Sequence, residues 1–119
     1  MIEVLVDVQD GCLTRLRVDG HAPVASATGI STVCAAASGI VRSVAEVLAM
    51  HDSHSERRLG VHGAAAEAGV LEVAVTSPLS DAEWLRGVTD TLVAGIERLA
   101  YDAPQEVQVL VRKGEQHGS

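Results

Sequence analysis

The chain is almost without aromatic side chains: Trp84 and Tyr101 stand alone, and there is no phenylalanine. Surfaces that stack on nucleobases need such rings. Surfaces that neutralise phosphates need cations, and here nine lysines and arginines face sixteen acids, a formal net charge of −7. Both shortages argue against nucleic acid as a partner. Cysteine is scarce too. Cys12 and Cys34 are too few for a disulfide-stapled secreted scaffold, and the chain does not open with a basic and then apolar leader. Two thiols in a reducing cytoplasm are therefore expected. No uninterrupted apolar run approaches the ~20 residues of a membrane span, so no membrane partner is expected.

What is present is aliphatic. The hydrophobic fraction is 47% of 119 residues, enough for one domain to bury roughly two-thirds of its unfolded surface without staples. That domain is expected over residues 1–112, with a polar tail over 113–119. Ile2, Val4, Val6 and Val8 alternate with more polar neighbours, the period of a strand with one apolar face. A second strand follows over 12–19. A two-residue Asp10-Gly11 turn would put Arg15 and Arg17 on its core face. A three-residue loop, Gln9-Asp10-Gly11, instead pairs Val8 with Cys12 and Val6 with Thr14, and this loop is the expectation.

Residues 32–50 repeat apolar positions with helical spacing, with Val33, Ala37, Ile40, Val44 and Val47 or Leu48 inward and Ser31 as the cap. The polar 51–58 reads as a loop. Leu59 and Val61 suggest a short third strand, residues 63–69 a compliant connection, and Leu71, Val73 and Val75 a fourth strand. Ser80 with Glu83 forms a capping box for a second helix whose Leu85, Val88, Leu92, Ile96 and Leu99 face inward. Pro104 precedes a last strand through Val107, Val109 and Val111. The order β-β-α-β-β-α-β predicts an α+β fold: a two-layer sandwich with a mostly antiparallel sheet and two helices on one face.

Chemistry is concentrated in residues 18–39. Cys34 falls in the first turn of the first helix, where unpaired N–H groups give a positive potential. Such a site favours thiolate, and the same N–H groups can hold an oxyanion. His21, at the end of the second strand, is a candidate base or imidazolium partner. Spacing alone leaves open a small core cysteine and a solvated histidine. The small residues 22–30 suit a loop that closes over a peptide. Elsewhere, Cys12 reads as core. His51, Asp52 and His54 have metal-like spacing but no further ligand in view, so neither a metal nor another cofactor is expected.

Gly20-His21-Ala22, then Gly29, then Val33-Cys34-Ala35-Ala36-Ala37-Ser38, resembles the ribosomal-processing cysteine protease family, Prp. The likeness continues through residues 90–109. It implies a small α+β homodimer of the bacterial cytoplasm that removes an N-terminal extension from the twenty-seventh large-subunit ribosomal protein. Position by position, it implies Cys34 as nucleophile and His21 as its partner. Ser38 matches the family's serine, four residues on and on the same helical face, while Gly20 and Gly29 match motif glycines. Ser31 stands near the place where the family usually has an acid. The rival class is a non-catalytic module of the same fold that binds a ribosomal protein.

Overall fold

The computed structural model describes residues 1–20, 32–67 and 69–114. Strands β1 (Ile2–Gln9) and β2 (Cys12–Asp19) form the first hairpin, and the loop differs from expectation. Gln9 pairs with Cys12 and Val8 with Leu13, so the turn is the two-residue Asp10-Gly11. Both turn residues have positive φ, 53° and 78°, the geometry that matches the twist of a tight hairpin. The phase problem raised by Arg15 and Arg17 is solved by a bulge. Asp7 pairs with Arg15, leaving Thr14 as the extra residue, and beyond it Leu16 faces Val6 and Val18 faces Val4. One inserted residue restores the alternation. Cys12, Leu13, Leu16 and Val18 are all buried. The bulge also turns the buried Leu13 N–H towards the helical layer, where it donates to Thr89 Oγ1 at 2.9 Å. Thr89, absent from the predicted inward set, is buried for that reason.

Helix α1 (Thr32–His54) continues four residues beyond its predicted end. The polar 51–54 segment is no obstacle to a helix, because its groups satisfy helical carbonyls and the chain that follows. His54 Nδ1 lies 2.9 Å from the Met50 carbonyl oxygen, Ser53 donates to Ala49 O at 3.0 Å, and the Asp52 carboxylate accepts from Leu59 N (2.6 Å) and Val61 N (2.8 Å). Ala37, Val41 and Leu48 are buried, whereas Val47 is exposed. By length and composition α1 is apolar enough to cross a membrane. In this fold it contributes to the same core cluster as the sheet.

Strand β3 (Val61–Glu67) takes in most of the predicted connection and forms a hairpin with β4 (Val70–Val75). An edge strand is held by main-chain bonds, so its alanines gave no alternating signal. Leu59 is buried just ahead of it. A 3₁₀ turn, Pro78–Asp81, contains Ser80 and displaces the predicted capping box. Helix α2 (Ala82–Asp102) is preceded by Asp81, whose side chain makes no capping bond and lies instead 3.3 Å from His51. Leu85, Leu92 and Ile96 are buried as expected, with Val88 and Leu99 packed at the margin of the core.

Strand β5 (Val107–Lys113) lies parallel to β1, and the five strands run β3-β4-β2-β1-β5. The sheet is therefore mixed, with antiparallel pairing elsewhere. The side chains of Arg15 and Arg17 both reach Glu72 at 3.0 Å, and Arg112 grips Asp7 at 2.7 and 3.0 Å. These partly exposed pairs fix the pleat more than they stabilise it.

Asp52 gives a pH signature. Burial opposes its ionisation, but the N–H groups of Val61, Leu59 and Gly60 outweigh that and hold the carboxyl below its usual 3.8, with His51 adding to the effect. A depressed folded pKa contributes stability that is present above the unfolded value and lost as pH falls through the folded one. Asp52→Ala should therefore melt below the wild type at pH 7, and the gap should close as pH drops below about 4. Melting curves between pH 7 and pH 2.5 check this; a constant gap contradicts it.

Candidate active site

Cys34 is the third residue of α1, in its first turn, and is half-buried. Its thiol donates to the Glu106 carbonyl oxygen at 3.7 Å. The same oxygen accepts the Ile2 N–H at 2.9 Å, so the thiol sits where β1 and β5 begin side by side. Ala35 and Ala36 beside it are exposed and carry only methyl side chains. Ser38 is half-buried one turn further along.

Gly20 directly follows β2 and lies against Met1 at the start of β1. Its φ is +85°, and a Cβ there would lie 2.5 Å from the Met1 carbonyl oxygen. Its N–H donates to Gly69 O at 3.1 Å. Only glycine allows both the left-handed backbone and this approach to Met1. Thus Met1-Ile2 touches Gly20 on one side and, through Glu106, Cys34 on the other. Of the sequence-derived candidates, Cys34, Ser38 and Gly20 are placed. His21, Gly29 and Ser31, with the loop 22–30, lie outside the described residues. The Glu106 carbonyl carries no signal in the sequence, because a main-chain oxygen has no residue type.

The second thiol is a different environment. Cys12 is fully buried and donates to Ala82 O at 3.6 Å. Burial pushes its pKa up and Asp10 adds to this, with Arg86 opposing. It lacks the access a nucleophile needs. The His51 ring stacks on Trp84, with centroids 3.9 Å apart and planes 13° apart. Its Nε2 is within ion-pair distance of Asp81, though not aligned as a hydrogen bond. Asp52 and His54 are occupied by main-chain groups. The metal-like spacing thus serves the junction of α1, β3 and α2, and among the described residues no group of three metal-binding side chains forms.

Residues 1–108 match the sequence model described as cysteine protease Prp. No curated protein matches by sequence. Among solved structures, SMU.848 from Streptococcus mutans superposes with a TM-score of 0.73 at 20% identity, covering 96% of each chain. An essential ribosomal processing protease Prp from Staphylococcus aureus, in complex with a substrate peptide, gives 0.71 at 16% identity, covering 94% of this chain and all of that one. The same protease with a covalently linked product peptide gives 0.69 at 18% identity, with the same coverage. These likenesses show a shared fold.

Proposed function

The chain belongs to the cysteine protease Prp family, and from that premise we propose that it is a cysteine endopeptidase removing an N-terminal extension from a large-subunit ribosomal protein. The observation that carries this reading is the family match across both motifs, together with a half-buried thiol in the first turn of a helix. In this reading the Cys34 sulfur attacks the scissile carbonyl carbon. The first N–H groups of α1 hold the developing oxyanion. His21 takes the thiol proton and passes it to the departing amine as the C–N bond breaks. Water then splits the thioester, returning the thiol and releasing the acid. Ser38, Ser31, Gly20 and Gly29 support the site, Ser31 as the helix cap where relatives carry an acid. The family resemblance extends the reading to a cytoplasmic homodimer acting on the twenty-seventh ribosomal protein of the large subunit. It involves no metal and no cofactor.

The test is incubation with the host's own extended ribosomal protein, read by mass. Two products whose masses sum to the parent plus one water are expected. A stable complex with the substrate left whole would favour the non-catalytic binding module instead.

A further inference from the structure

β5 is the last strand of the sheet, and among the described residues no strand pairs with its outer side. Two hydrogen bonds fix which of its groups face outward. Glu106 O accepts from Ile2 N, and Gly114 N donates to Val8 O. With Ile2 opposite Val107 and Val8 opposite Lys113 in parallel register, the even-numbered residues turn their main-chain groups to β1. The odd-numbered residues turn theirs away. Val107 N–H is occupied by Ala103 O at 3.1 Å. That leaves the Val107 carbonyl and both main-chain groups of Val109 and Val111 pointing outward along one line.

This line begins one residue from the thiol's contact: Glu106, whose carbonyl faces β1 and lies 3.7 Å from Cys34 Sγ, directly precedes Val107. It also borders a concavity of about 680 Å³. Leu5 and Leu110 line that space from the outer sheet face, Ala100 and Pro104 from the end of α2 and the turn beyond it. Leu110 is 58% exposed there. The opposite edge, β3, is four strand spacings away, roughly 19 Å, and offers no such proximity. Resting on the peptidase reading above, we infer that the outer edge of β5 is the docking track for the substrate. An extended peptide adds to it as a sixth strand, and its scissile bond reaches Cys34 at the Glu106 end. Main-chain bonds to Val109 and Val111 would hold the peptide, while the Leu110 groove receives alternate side chains.

The experiment uses the full chain carrying Cys34→Ala, which binds without cutting, and a synthetic peptide spanning the processing junction of the host ribosomal protein. At saturating peptide, amide hydrogen exchange at Val109 and Val111 should slow at least tenfold, with the β3 edge unchanged. In the active enzyme, Val109→Pro, which deletes one outward N–H while sparing the β1 ladder, should raise KM at least fivefold. Val109→Ala should not. Peptide binding with Val109 and Val111 unprotected overturns the track and leaves the function standing. Absence of any peptide binding overturns both. Equal KM values for the proline and alanine variants also count against the track.

Discussion

Cys34→Ala should lose cleavage by on the order of 10⁴-fold or more, the scale on which removal of a covalent nucleophile acts. It should leave the melting temperature close to that of the wild type. The thiol is half-buried, and the Glu106 carbonyl it approaches also accepts the Ile2 N–H. The side chain is small and partly exposed, so a stability change below about 1 kcal/mol is expected on its removal. Cys12→Ala should behave in the opposite way. That sulfur is fully enclosed, so its removal leaves a cavity and costs about 1–2 kcal/mol, while cleavage persists. Kinetics and thermal melts on both variants separate a reactive thiol from a packing thiol. Normal cleavage by Cys34→Ala would end the proposed mechanism.

These two cysteines also show what the sequence made legible. Alternation along β1 and helical spacing along α2 are strong signals because each element buries one face, and both were readable in advance. At Asp10-Gly11 the alternation of side chains predicts a longer loop where the fold has a bulge at Thr14, because the two are equivalent in phase and alternation does not say where the extra residue sits. The bulge is held by the Thr89 hydroxyl, seventy-six positions away from Leu13, which no local pattern of side chains could signal. Val61 marks the start of β3, but its run through residues 63–67 is hidden for a related reason. It is an edge strand rich in alanine, and main-chain pairing leaves no mark on composition. The site was legible as residue types, Cys34 above all. Its setting beside the Glu106 carbonyl was not, since that contact joins residues seventy-two positions apart through a backbone atom.

Gly20→Ala is the second large effect expected. A residue with a side chain at φ +85° pays about 1–2 kcal/mol for the left-handed conformation. The added Cβ also meets the Met1 carbonyl at 2.5 Å, so backbone must move. The obstacle is main chain, which cannot swing aside like the end of a long side chain. Because His21 follows directly in sequence, the shift should lower cleavage at least tenfold as well as lower the melting temperature. Cys34 should still react with iodoacetamide at a near wild-type rate. Gly63→Ala is the matched control: the same chemical change in β3, where the nearest atoms are at an ordinary 3.8 Å. It should be close to neutral. If the two alanine variants melt and cleave alike, the special role of the Gly20 backbone is lost.

The most direct test of the central claim is to catch the covalent intermediate. Wild-type enzyme mixed with the extended ribosomal protein is quenched in acid within milliseconds to seconds, digested, and analysed by mass. A thioester, cleaved by hydroxylamine, is expected on the peptide that contains Cys34 and on no other. Turnover with no such adduct, or an adduct carried by Cys12, would contradict that claim.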